Sequence, residues 1–128
     1  MTLAVLHSRD DDGRSVVGVP LTNRPGAHAW LYETDHAAIV AEYGHRAWFV
    51  NDNGKGQLYV RLRGLGRRRL VMVARLVVAD PLVRLIRYRD GDRLNLRSRN
   101  LDVLTARELT TRRTLRATHV APSASPLP

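Results

Sequence analysis

Residues 71–101, VMVARLVVADPLVRLIRYRDGDRLNLRSRNL, decide how this chain is read. Apolar side chains recur through the first half of the stretch, interrupted every few residues by arginine. Asp90-Gly91-Asp92 is a turn signal, because aspartate bonds its own backbone two residues on and glycine accepts a positive φ. With that turn near its middle, the stretch is taken as a core unit over residues 71–104. The residues before it read as a sheet able to carry it, and those after it as a basic helix over residues 105–118 and a disordered tail over 119–128.

Working outward, the preceding segment changes to a period of two from Arg46. Arg46 to Asn51, Gln57 to Arg63 and Arg67 to Val73 are predicted as three strands, joined by Asn53-Gly54-Lys55-Gly56 and by Gly64-Leu65-Gly66. In the middle strand Leu58, Val60 and Leu62 point one way, while Tyr59, Arg61 and Arg63 point the other. A face of that composition suits nucleic acid, with the aromatic ring for stacking and the guanidiniums for phosphate or base edges. Arg67, Arg68 and Arg69 flank it.

Further upstream, Leu3 to Leu6 and Ser15 to Val19 are short β-prone runs. The turn Arg9-Asp10-Asp11-Asp12-Gly13 separates them, and its acidic triplet is read as a solvated turn rather than a metal loop. Thr34 is the expected N-cap of a short helix ending near Gly44, with Ala38, Ile39 and Tyr43 on its inner face. His28, His36 and His45 lie eight and nine residues apart, a spacing that matches no helical ligand pair, so no metal site is expected.

Downstream, Thr105 to Arg116 is predicted as a helix capped by Thr105. Leu104, Leu109 and Leu115 lie inside, with Arg107, Arg112, Arg113 and Arg116 outside. The Pro- and Ser-rich end cannot continue it.

Charge is the strongest compositional signal. Residues 1–60 hold five basic and seven acidic side chains, whereas residues 61–116 hold sixteen arginines against five acids, so the two halves carry −2 and +11 of the net +9. A one-sided cationic surface attracts polyanions and releases counterions from phosphate, which makes double-stranded DNA the expected partner. RNA or an acidic protein are the alternatives, and pairing of two copies by two-fold symmetry would add specificity. With 128 residues, 44% of them hydrophobic, the chain is long enough for one modest globular domain, taken as residues 1–118. The absence of cysteine excludes disulfides and thiolate metal sites. No membrane segment and no signal sequence is read, so a cytoplasmic, nucleoid-associated protein is expected.

The order Val19-Pro20-Leu21-Thr22, Tyr43, Trp48, Tyr59-Val60-Arg61, Met72-Val73-Ala74-Arg75-Leu76, Ile86-Arg87-Tyr88-Arg89-Asp90-Gly91-Asp92 and Arg97-Ser98-Arg99-Asn100-Leu101 resembles phage and mobile-element HNH homing endonucleases. These carry an APETALA2-like three-stranded sheet ahead of the nuclease core, and the resemblance spans roughly residues 19–107. It implies an α+β fold: an antiparallel three-stranded sheet with a helix, a degenerate HNH ββα-like core over residues 71–104 with the Asp-Gly-Asp turn between its two strands, and a C-terminal basic helix. It also implies that Asn100 is the scaffold asparagine of the motif, with Asn100-Leu101 on the helix.

The departures from that pattern bear on chemistry. Ala74 stands where the family has a histidine before Arg-Leu, Arg87 where it has a metal-binding carboxylate, and Tyr88 where it has the general-base histidine. Residues 46–118 contain no histidine. A tyrosine with a reference pKa of about 10 is a poor base near neutrality, and an arginine repels a metal ion. The chain is therefore expected to bind DNA without cutting it and without a cofactor or metal, as a regulatory or architectural protein of bacterial, phage or mobile-element origin. The competing enzyme reading is a nuclease built around Asp90, Asp92 and Asn100. The residues expected to face DNA are Tyr59, Arg61, Arg63, Arg67, Arg68, Arg69, Arg75, Arg84, Arg87, Arg89, Arg93, Arg97, Arg99, Arg112 and Arg113.

Overall fold

Alternation of side chains along residues 46–72 produces the sheet at the centre of the molecule. In the computed structural model, which describes residues 4–64 and 69–111, strands β4 (Trp48–Asp52), β5 (Leu58–Arg63) and β6 (Leu70–Met72) pair antiparallel in the order β4-β5-β6. The register sets Trp48 against Leu62, Val50 against Val60 and Leu62 against Val71 on one face. Phe49 and Met72 lie beside Arg61, and Asn51 beside Tyr59, on the other. The two faces of β5 are thus those expected from its pattern. The strand predicted for Arg67 to Val73 is shorter, because Val73 opens a helix; Arg67 and Arg68 lie outside the described residues.

A second sheet comes from the N-terminal half, with β1 (Leu6–Arg9), β2 (Ser15–Pro20) and β3 (His28–Tyr32) antiparallel in sequence order. β1 begins where the predicted Leu3–Leu6 strand ends, because the Asp10–Gly13 turn sets the register by pairing Arg9 with Ser15. β3 falls ahead of the predicted helix, in residues for which the sequence predicts no element. Its five residues pass into α1 (Glu33–Tyr43) with no intervening turn residue, so neither punctuation nor length separated the two. α1 starts ahead of Thr34: Tyr32 is its N-cap and makes no side-chain capping bond. Its end at Gly44, with φ of 78°, is as expected, and Ile39 is buried while Ala38 is exposed.

Gly18 on β2 lies opposite Trp30 on β3, and a Cβ at residue 18 would come within 2.8 Å of the indole ring. The glycine lets that ring lie flat on the strand. Gly18→Ala should therefore lower stability by about 1–3 kcal/mol, read as a fall in the urea midpoint.

The decisive stretch folds differently in detail from its prediction. Residues Val73–Val78 form helix α2, stopped by Ala79 in a left-handed conformation with φ of 55° and by Pro81. β7 (Val83–Tyr88) then pairs with β8 (Leu101–Thr105), followed by a helical segment at 106–111. The strand–strand–helix order thus runs over residues 83–111, not 71–104, and Leu101 begins a strand, not a helix. Asp90-Gly91-Asp92 does turn, with the Gly91 N–H donating to Tyr88 O at 2.9 Å and the Asp92 N–H to Asp90 Oδ1 at 2.8 Å. It opens a longer loop that reaches β8 only after a 3-10 turn at Ser98–Asn100, instead of joining two strands directly. Thr105 caps the helical segment as predicted, through a reciprocal box in which Glu108 N–H donates to Thr105 Oγ1 at 3.2 Å. The remainder of that predicted helix, with Arg112 and Arg113, and the tail lie outside the described residues.

The result is a small α+β domain of three antiparallel sheets, of three, three and two strands, separated by helices. The sheets are stitched together. Leu21 bridges to Trp48, and Trp30 exchanges backbone bonds with the β7–β8 loop, donating to Leu94 O at 2.8 Å and accepting from Leu96 N–H at 2.6 Å. One core runs through all of them, including Val17, Leu31, Ile39, Trp48, Val60, Leu62, Val73, Leu96 and Leu101. Among the described residues no helix is long and apolar enough to cross a membrane.

Candidate nucleic-acid interface

The outward face of β5 meets the start of β7 across a groove of about 590 Å³. Gln57 and Tyr59 from β5 and its approach, Met72 from β6, Arg75 from α2, Arg84 to Tyr88 from β7, and Gly91 and Arg93 from the loop line it. Four of these are arginines, and none is a carboxylate. Proximity of like charges in a concave, partly apolar setting raises the local positive potential beyond that of scattered surface charge.

The tyrosines organise this charge. The Arg93 guanidinium lies 5.3 Å from the Tyr59 ring centre and 4.9 Å from that of Tyr88, and Arg61 stands 5.9 Å from Tyr59. Each is within cation–π range, so the rings hold the guanidiniums in place at little cost to their charge. Arg61 is half-buried, and its Nε has no hydrogen-bond partner among the described residues. Tyr88 is buried, and burial pushes its hydroxyl above the ordinary tyrosine value against the opposing pull of Arg93. At neutral pH this hydroxyl keeps its proton and offers a donor rather than a base.

The other sequence-predicted residues fall into different settings. Arg84 and Arg87 are exposed on the groove wall. Arg75 reaches into it, but its guanidinium also donates to the backbone carbonyls of Val83 and Arg84, the latter at 2.9 Å, tying α2 to the start of β7. Arg63, Arg69 and Arg89 are exposed and do not line the groove.

Arg97 and Arg99 do something the sequence did not suggest. Arg97 pairs with Asp10 at 3.4 Å, and Arg99 lies within 3.8 Å of Asp10, 2.9 Å of Asp11 and 3.6 Å of Asp12. The acidic triplet is therefore no mere solvated turn: it clamps the β1–β2 hairpin onto the β7–β8 loop, and Asp10 has only 2% of its side chain exposed. Charge complementarity between Asp-Asp-Asp and Arg-Ser-Arg was the only signal, and a separation of 87 residues hid it. Nearby, the Arg14 guanidinium lies 3.5 Å from the Tyr32 ring centre.

The Asp10 carboxyl is held well below the usual carboxylate range, first by side-chain hydrogen bonding with Asp12, then by the Tyr32 hydroxyl and the backbone N–H groups of Arg14 and Asp12, which together outweigh the opposing effect of burial. A carboxylate whose folded value is depressed stabilises the fold above its unfolded value, and this contribution is lost as pH falls through the folded one. Acid titration followed by circular dichroism should therefore show stability declining below about pH 4, the ordinary aspartate range. Asp10→Asn should be less stable at pH 7 and should flatten that decline.

Asp90 and Asn100 are consumed by the loop itself. Desolvation of the Asp90 carboxyl raises its proton affinity, but the Asn95 amide donating at 2.7 Å and the Asp92 N–H outweigh it and leave the carboxyl below its ordinary value. Asn100 is buried, accepts from the Asp90 N–H at 3.0 Å and donates to Asn95 O at 2.9 Å. It joins the two ends of the loop rather than a helix to a hairpin. Among the described residues no three His, Cys, Asp or Glu side chains are grouped to hold a metal ion. His36 and His45 lie beside a different cavity of about 440 Å³ with Val19, Val40 and Trp48, far in composition from the arginine groove.

Compared with protein-family models, curated proteins and solved structures, the chain gave no match to any of them.

Proposed function

We propose that the chain is a DNA-binding protein on a catalytically inactive HNH-like scaffold, acting by phosphate and groove contacts in a regulatory or architectural role. The single observation that carries this reading is the groove between β5 and β7, where four arginines and two tyrosines converge without a carboxylate. Permanent cations at that density release counterions from a phosphate backbone. The strand–strand–helix order over residues 83–111, with the Asp-Gly-Asp turn and the buried Asn100 at its loop, supports the scaffold assignment. Arg87 and Tyr88 lie in the groove at the positions where the resembled family has its ligand and base, which supports binding without hydrolysis.

The test is affinity for a duplex of about one to two turns as salt is raised. The observed constant should fall with a log-log slope of about −2.7 to −3.6 if the groove arginines neutralise three or four phosphates. A complex insensitive to salt would remove the electrostatic basis of the proposal. Incubation with plasmid and Mg²⁺ or Mn²⁺ tests the inactive half separately, since nicking abolished by replacing Asp90 and Asp92 would make this a nuclease.

A further inference from the structure

A surface that met only the outside of a duplex would need phosphate partners and nothing more. The groove has more. Beneath its arginine rim lie Tyr59, Tyr88, Met72 and Ile86, an aromatic and aliphatic floor in a concavity of about 590 Å³. A volume of that order admits one small planar group with its polar substituents, and it is far too small to enclose a base-paired duplex about 20 Å across. The Arg93 guanidinium lies within cation–π range of both rings, 5.3 Å from the centre of Tyr59 and 4.9 Å from that of Tyr88. Tyr88 is buried, whereas Tyr59 is half-exposed.

Resting on the nucleic-acid reading, we propose that this groove receives an unpaired nucleotide of a single strand, its base stacked on the Tyr59–Arg93 planes and its flanking phosphates on Arg84 and Arg87. The chemistry is complementary throughout. Every base has a π-face that stacks on tyrosine or guanidinium irrespective of sequence, and the phosphates on either side meet cations placed on the wall. The Tyr59 hydroxyl donates to Gln57 Oε1 at 3.1 Å, which keeps the ring oriented along the groove. Selection by stacking follows the unpaired state of the base and not its identity, since every base carries a π-face; Gln57 and the arginines are the groove side chains able to reach a base edge.

The experiment compares a labelled oligothymidylate, an oligouridylate and a blunt-ended duplex of two complementary strands by fluorescence anisotropy, with Tyr59→Leu and Tyr59→Phe beside the parent protein. Loss of one stacked base should weaken single-strand binding about 5- to 100-fold in Tyr59→Leu, while Tyr59→Phe, which keeps the ring, stays within about 2-fold. Duplex affinity should change by less than about 2-fold in both. An iodouracil-substituted strand should photo-cross-link to the peptide containing Tyr59 or to that containing Tyr88. Equal losses for single strand and duplex, an unchanged single-strand affinity in Tyr59→Leu, or a cross-link confined to another peptide would overturn the proposal while leaving DNA binding intact. Failure of all three nucleic acids to bind would overturn the underlying reading as well. Equal affinity for the two single strands places the selection on the base, and a preference for the oligouridylate above about 10-fold would assign the site to RNA and displace the DNA reading.

Discussion

Replacing Arg87 and Arg93 together by alanine should weaken nucleic-acid binding by at least about 100-fold at moderate salt, because each charge-assisted bond to a phosphate contributes roughly 1.5–3 kcal/mol. Both side chains face the groove, and neither forms an ion pair among the described residues. Arg93 also lies within cation–π range of two tyrosines, so its loss removes a charge and a contact on the Tyr59 ring. The matched control is Arg99→Ala. Its guanidinium is already engaged by Asp10, Asp11 and Asp12, so that change should lower thermal stability more than it lowers affinity. Anisotropy titrations and melting curves on the two variants separate the cases. Arg99→Ala weakening binding as much as the double variant would mean that net charge, and not the groove, governs association.

The largest effect on stability should come from Asn100→Ala. This side chain satisfies the Asp90 N–H and the Asn95 carbonyl, and its own backbone oxygen accepts from Arg89 N–H at 2.8 Å. Removing the amide leaves two backbone groups without partners inside the loop, each worth about 1–3 kcal/mol, for a total of about 2–5 kcal/mol. The melting temperature should drop by about 10 °C or more. Asn100→Asp should fall between the parent and the alanine variant, since it keeps the acceptor for Asp90 N–H but turns an oxygen towards the Asn95 carbonyl. If the alanine variant melts within a few degrees of the parent, the loop is not held by this residue.

Much of the central sheet was legible from residue order, because a pleated strand places alternate side chains on opposite faces and the apolar–polar alternation from Trp48 to Arg63 records that directly. The capping box at Thr105 and Glu108 was equally local, and so was the stop at Gly44. The segment Val73–Val78 was harder. A short apolar run has no period that separates a buried helix from a strand, and only its packing against the central sheet, with Val73 and Ala74 buried, decides for the helix. β3 was hidden for a related reason, since its neighbour β2 and the loop residues Leu94 and Leu96 supply the backbone bonds that make it a strand.

The charge asymmetry, and the departures of Ala74, Arg87 and Tyr88 from the pattern the chain resembles, are read from the sequence alone, and with them the expectation of a cationic, non-hydrolytic surface. Which arginines are available was decided only by tertiary structure. Arg87 and Arg93 converge with Tyr59 and Tyr88 because β5, β7 and the loop after β7 open onto one groove, whereas Arg97 and Arg99 are neutralised by an acidic turn 87 residues away in the chain. Local sequence sets what each side chain carries. Coulombic pairing and stacking act over a few ångströms in space regardless of separation along the chain, so the same residue type becomes a groove cation in one place and a clamp in another.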